Sequence, residues 1–155
     1  MIDIHCHILS GLDDGAADLE ESIAMARLAF EDGVRHLFAT PHFTRALYND
    51  REQVEAKVRE LQAALDERGI AVRIHPGSEV RMESGAFVRG AAETEAFCYL
   101  GPHRRFVLLE EPWSDYQPES PALVRWFLER GVRPVIPHPE RHAFFRERPE
   151  RLREL

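Results

Sequence analysis

At 155 residues, with 44% apolar and 30% charged side chains, the chain is long enough for one domain with a core and too balanced in composition to be disordered. Its formal net charge of -7 excludes a general nucleic-acid binder, because neutralising phosphates needs a basic surface. Two cysteines, Cys6 and Cys98, make no disulfide framework, and no signal peptide or apolar run of transmembrane length is present; a reduced, cytoplasmic chain with no membrane span is expected.

Residues 2–7 read as a first strand. Side chains alternate along a strand, so His5 and His7 point to one face and Cys6 to the other. After the Asp13-Asp14-Gly15 loop, a helix begins near Asp18 and stops at Asp32-Gly33. Residues 34–40 are a second buried strand that runs into Pro41-His42. A second helix from about Asp50 carries Val54, Val58, Leu61, Ala64 and Leu65 at helical spacing and ends at Arg68-Gly69. A third strand, 70–74, leads into Pro76-Gly77-Ser78-Glu79. Between 82 and 100 the pattern predicts a short helix near 85–92 and a short strand at 97–100. Residues 105–109 form a strong strand ending in Glu110-Glu111, Ser120-Pro121 opens a helix stopped by Arg130-Gly131, and 132–136 is the last strand, ending in Pro137-His138-Pro139-Glu140-Arg141. The Arg/Glu alternation over 141–153 reads as a solvated helix face.

Strands alternating with amphipathic helices imply a parallel α/β architecture in one domain, either a doubly wound sheet or part of a β/α barrel. His5, His7, His42, Glu79, Glu110 and His138 all stand at or just past the C-terminal end of a predicted strand, with Asp14 in the first loop. In a β/α barrel that face collects ligands and catalytic groups. Imidazoles and carboxylates without a thiolate suit Mn²⁺, with Fe²⁺ or Zn²⁺ as alternatives, and several carboxylates can bridge two or three ions. Such a cluster lowers the pKa of water and clamps phosphoryl oxygens, the chemistry of phosphate-ester hydrolysis. Arg141, three residues after His138, is the first candidate to bind the phosphate oxygens. Arg45, three after His42, is the second, and His142 lies close enough to Arg141 to meet substrate.

The run Met1-Ile2-Asp3-Ile4-His5-x-His7-Ile8-Leu9-x-Gly11-Leu12-Asp13-Asp14-Gly15, with Ala-Thr-Pro-His, Pro-Gly-Ser-Glu, Leu-Leu-Glu and Ile-Pro-His-Pro-Glu-Arg downstream, resembles the bacterial manganese-dependent tyrosine-protein phosphatases of the polymerase and histidinol phosphatase (PHP) superfamily. The resemblance implies a distorted (β/α)₇ TIM-like barrel. It also implies dephosphorylation of a tyrosine-phosphorylated protein, the tyrosine-rich tail of a partner kinase in capsule and exopolysaccharide synthesis. By the same resemblance His5, His7 and Glu79 hold a first ion; Glu79 bridges to a second completed by Glu110 and His138; Asp14 and His42 hold a third; Arg141 binds the phosphate.

The family pattern also contains an Asp-x-His pair on its last strand that this chain lacks, and residues 141–155 read as an amphipathic helix with Leu152 and Leu155 in phase and no stop signal. The match is therefore expected to cover the N-terminal two-thirds of such an enzyme, with an incomplete barrel and weakened activity if the chain ends there. Other superfamily members hydrolyse small esters such as histidinol phosphate, which is the alternative function; an inactive module that only binds a partner is a third reading. Cys98-x₅-Arg104 matches the phosphate loop of cysteine-dependent phosphatases, but Arg104 leads into a strand and not into the helix N-terminus that chemistry uses. Asp13 is expected either to orient Asp14 or to bond the turn, Glu111 replaces Glu110 if the register slips by one, and Asp3, His36, His75 and His103 are expected to be structural or solvated. Trp113, Tyr116 and Trp126 are expected in the core or at its rim.

Overall fold

The computed structural model describes residues 1–113 and 116–155. Strand β1 (Ile2–Cys6) is followed by helix α1 (Leu19–Glu31), β2 (His36–Ala39), β3 (His42–Phe43), α2 (Arg51–Glu67), β4 (Arg73–Pro76), β5 (Glu79–Arg81), α3 (Gly85–Glu93), β6 (Phe106–Glu110), α4 (Ser120–Leu128) and β7 (Arg133–Val135). A 3-10 turn (Pro139–Arg141) and two short helices, α5 (Ala143–Glu147) and α6 (Glu150–Glu154), complete the described chain. Three helix starts follow from their capping residues: Asp18, Asp50 and Ser84 each accept a hydrogen bond from the backbone N–H three residues on, worth about 1 kcal/mol apiece.

All strand pairings between these elements are parallel, but they fall into two sheets, β1-β2-β4 and β3-β5-β6-β7. Prolines divide them. Pro41, which has no N–H for a ladder, separates β2 from β3, and Pro76 is the last residue of β4, with Gly77-Ser78 between it and β5. Gly77 is required at this junction because a Cβ there would lie 2.9 Å from the Thr40 methyl group. The strands predicted over 34–40 and 70–74 thus each continue, after a break, into a second short strand in the neighbouring sheet. Among the described residues neither sheet closes on itself, and β1 and β7 are edges.

Two apolar clusters lie between sheets and helices. Leu37, Ala39 and Ile74 pack with Ile23 and Ala26 of α1 and with Val54, Val58, Leu61, Ala64 and Leu65 of α2. In the second sheet Val80, Val107 and Leu109 pack with Val88 and Ala91 of α3 and with Leu123 and Phe127 of α4. At roughly 1.5–3 kcal/mol per fully buried aliphatic or aromatic side chain, these faces hold the helices on. Because strand side chains alternate, the residues between them, Glu79, Arg81 and Glu110, are turned away from the helices.

Two expectations are corrected. The strand predicted at 97–100 is a loop with one antiparallel bridge, Leu100 to Phe106. The continuous helix predicted over 141–155 is instead two short helices parted at Arg148-Pro149, since proline cannot supply the N–H an uninterrupted helix needs. Phe144 and Phe145 are buried, so that segment is anchored and not simply a solvated face.

Candidate metal centre

At or past the ends of β1, β2, β4, β6 and β7, where β3 and β5 begin, His5, His7, Asp14, His42, Glu79, Glu110, Trp113, His138 and Arg141 line a cavity of about 360 Å³. Glu79 is its centre. The carboxylate is buried on β5, and four imidazoles from other strand ends converge on it: His5 Nε2 at 3.3 Å, His7 Nε2 at 3.2 Å, His42 Nδ1 at 2.9 Å and His138 Nε2 at 2.8 Å. Burial alone would raise the Glu79 pKa, but the imidazoles of His42, His5 and His7 outweigh it and hold the carboxyl far below the usual carboxylate range.

Local structure aims these rings. A register irregularity in β1 between Asp3 and Cys6 adds a residue opposite β2, where the Asp3 carboxylate accepts from the His5 N–H at 3.1 Å. Beyond it His5 and His7 enter the cavity while Cys6 packs against the helix-side core. His138 sits between two prolines with φ of 29°, a left-handed backbone that a non-glycine residue adopts only at a cost, here on the order of 1–2 kcal/mol. That strain lies where the ring must turn toward Glu79.

The outer nitrogens are held by neighbours. His5 Nδ1 lies 2.7 Å from Thr40 Oγ1, and His7 Nδ1 lies 2.7 Å from Asp13 Oδ2. Asp13 also accepts from the His42 N–H at 2.8 Å and from the Gly15 N–H at 3.1 Å. It therefore ties the loop, β1 and β3 together, and it leaves Nε2 of His7 turned to the cavity as a ligand nitrogen must be. Burial opposes a charge on His7, yet Asp13 and Glu79 raise its pKa to about 10, and Asp13 is lowered in turn by His7 and the His42 N–H despite its own burial. Excess negative charge has collected where a cation can replace that proton.

Three sets of side chains have donor atoms within 4.8 Å of one another: His5, His7 and Glu79; His7, Asp14 and His42; and His42, Glu79 and Glu110. His42 Nδ1, Glu79 Oε2 and Glu110 Oε1 are buried without an aligned hydrogen-bond partner, although the first two lie only 2.9 Å apart. Facing lone pairs left unpaired inside a protein are expensive unless a cation satisfies them, so the residues fit a divalent cation that takes both imidazole and carboxylate ligands.

Other candidates take different places. Glu110 lines the cavity, whereas Glu111 is buried beside it without lining it, accepting from Gln117 N–H; burial pushes its carboxyl up to about 7. Arg141 lines the cavity with its guanidinium 4.8 Å over the Trp113 ring. Arg45 does not: it points away to Ser84 Oγ at 3.1 Å, at the α3 N-terminus, and lies over Phe87. His142 is also removed from the cavity, 1% exposed and packed on Trp113, Phe144 and Phe145. The sequence reading passed over Arg81, whose Nε donates to Glu110 Oε2 at 2.9 Å and fixes that carboxylate. Its signal was the period of two from Glu79 to Arg81.

Cys98 and Arg104 share a separate, more apolar cavity of about 340 Å³. Burial pushes the Cys98 thiol up to about 12, opposite to the shift a nucleophilic thiolate needs, and Arg104 is paired with Glu95. Cysteine-dependent chemistry has no support there.

Known proteins resemble this chain in sequence and in fold. The chain is 36% identical over 157 residues to tyrosine-protein phosphatase YwqE of Bacillus subtilis (strain 168), covering 100% of this chain and 60% of YwqE. It is 29% identical over 160 residues to tyrosine-protein phosphatase CpsB of Streptococcus pneumoniae, covering 100% of this chain and 63% of that protein. A crystal structure from work on YwqE and CpsB, described there as unique metal-dependent tyrosine phosphatases, superposes with a TM-score of 0.90 at 35% identity, over 97% of this chain and 60% of the other. The chain thus spans less than two thirds of the length of these relatives. The family model described as capsular polysaccharide synthesis, CpsB/CapC, matches residues 1–155, and the chain belongs to that family.

Proposed function

We propose that this chain carries the metal-binding part of a phosphotyrosine phosphatase that acts on a tyrosine-phosphorylated protein in capsular polysaccharide synthesis, with a bacterial tyrosine kinase of polysaccharide export as its partner. The observation that carries the proposal is the convergence of four imidazoles on the buried Glu79 beside orphaned lone pairs of His42 and Glu110. The names of YwqE and CpsB support the choice of phosphotyrosine over a small phosphate ester. In this reading the strand order is an arc of a TIM-like barrel, residues 1–155 belong to one PHP domain, and the protein works in the cytoplasm. Among the described residues no helix is long and apolar enough to cross a membrane.

His5, His7 and Glu79 would hold one ion, Glu79, Glu110 and His138 a second, and Asp14 and His42 a third, with Mn²⁺ the first choice and Fe²⁺ or Zn²⁺ the alternatives. Such cations lower the pKa of water and neutralise phosphoryl oxygens. The chain's own groups do the rest. Arg141 presents a guanidinium to the non-bridging phosphate oxygens and balances their charge. Asp13 and Thr40 fix the ring orientations of His7 and His5, and Arg81 holds the Glu110 carboxylate in its orientation.

Calorimetric titration with Mn²⁺ and hydrolysis of a phosphotyrosine peptide test this. Two or three Mn²⁺ per chain, and hydrolysis lost on chelation and in Glu79→Gln, are expected. Hydrolysis that survives chelation, or Mn²⁺ binding unchanged in Glu79→Gln, would overturn it.

A further inference from the structure

We propose that Trp113 selects aryl over alkyl phosphates at this cavity, a proposal that rests on the phosphoesterase reading above. Among the described residues every other one that lines the cavity is a histidine, a carboxylate or an arginine, and Trp113 is the single large apolar wall. It is 45% exposed, so part of its surface is open to a ligand.

The indole is held in place by stacking. Its ring lies 5.7 Å from that of His138 at an interplanar angle of 15°, and 5.1 Å from that of His142. His142 is 1% exposed, neither ring nitrogen has a hydrogen-bond partner among the described residues, and it rests on Phe144 at 5.1 Å. Packed between Trp113 and Phe144, the buried imidazole acts as an aromatic spacer, and its service is to position the tryptophan. A ring fixed this way loses little freedom when a second ring stacks on it.

The guanidinium of Arg141 lies 4.8 Å over the same indole. A phosphate held by Arg141 therefore presents its ester substituent beside Trp113. A phenyl substituent can stack on the indole, whereas a short alkyl one covers little of it. Aromatic pairing of this kind corresponds to a preference of roughly three- to tenfold. If Trp113 served only as a prop for Arg141, both ligand types would lose affinity equally when it is removed.

The two tryptophans of the chain allow a direct test, because Trp126→Phe leaves Trp113 as the one indole. The Mn²⁺-loaded full chain in that background is titrated with phenylphosphonate and with methylphosphonate, neither of which can be hydrolysed as an ester. Affinities are read by calorimetry and by indole emission. Phenylphosphonate is expected to bind three- to tenfold more tightly and to change the emission. Trp113→Leu should bring the ratio of the two affinities to about one, and Trp113→Phe should keep most of it. Equal affinities before mutation, or a ratio unchanged in Trp113→Leu, overturns the role of Trp113 alone. Binding of neither phosphonate overturns the phosphoesterase reading and this proposal together.

Discussion

Gly15→Ala puts the geometry of the first loop under direct test. A Cβ at this position would stand 2.0 Å from the His7 carbonyl oxygen, 2.7 Å from the His7 Cβ and 2.8 Å from the His7 carbonyl carbon. Since real Cβ contacts essentially never fall below 3.0 Å, loop and strand must part by about 1 Å, and backbone cannot swing aside as a flexible side chain can. The displacement strikes three bonds at once: Ala16 N–H to His7 O, Gly15 N–H to Asp13, and Asp13 to His7 Nδ1. Overpacking at about 1–3 kcal/mol plus a lost hydrogen bond at about 1 kcal/mol gives a destabilisation of roughly 2–4 kcal/mol. For a chain of this size that is a fall in Tm of about 5–15 °C. Because Asp13 and Asp14 move with the loop, Mn²⁺ affinity should drop at least about tenfold. Thermal unfolding of the metal-free protein and Mn²⁺ calorimetry read the two effects. A Tm within about a degree of the parent protein, with Mn²⁺ affinity intact, would refute the claim that loop and strand are locked through this contact.

Other substitutions address the supporting residues. Asp13→Asn must oppose an amide donor to one of the donors Asp13 now receives, and it should cost about 10–100-fold in Mn²⁺ affinity with the circular dichroism spectrum retained. Arg81→Leu leaves the fully buried Glu110 carboxylate without its guanidinium; a loss of roughly 2–3 kcal/mol is expected in denaturant unfolding of the metal-free protein, and less with Mn²⁺ present. Glu111, raised by burial to about 7, binds a proton in the folded chain between pH 4.5 and 7 that the unfolded chain has released. Stability should therefore fall as pH rises through that window, by up to about 3 kcal/mol, and Glu111→Gln should flatten the profile. Cys98→Ser should leave phosphatase activity unchanged while chelation abolishes it, and native Cys98 should resist alkylation until the protein unfolds.

Residues whose chemistry follows from strand alternation were legible in the sequence. His5 and His7 share a face because they are two apart, and His42, Glu79, Glu110 and His138 each follow an apolar run, so their meeting in one cavity follows from parallel strands. The division into two sheets was hidden because β3 has two residues and β5 three, too short for any periodic pattern, and the prolines before them read as strand ends. Arg81 stands one alternation from Glu79, and a single alternation does not stand out in a strand of three residues. Asp13 and Asp14 have equal claims in sequence. Only the folded loop distinguishes the first, which braces His7 and the His42 backbone, from the second, which stays exposed near both rings. For Arg45 and His142 spacing alone does not fix where the side chain points: serine at the α3 cap draws one away, and a pair of phenylalanines buries the other.

Two of the edge strands, the first and the last, have a consequence for how the protein comes apart. β1 and β7 share no hydrogen-bond ladder, yet His5 on one and His138 beyond the other meet on the same Glu79 carboxylate, with ring centroids 5.4 Å apart. These residues are separated by most of the chain, so their meeting closes a long loop and its entropy must be overcome when the fold forms. A cation bound among them acts as a reversible cross-link between the first and last strands. It exists only in the folded state, so each tenfold rise in free cation above its dissociation constant adds about 1.4 kcal/mol to the free energy of unfolding. The centre proposed for catalysis is then also the clasp of the fold, and the melting temperature becomes a readout of its occupancy.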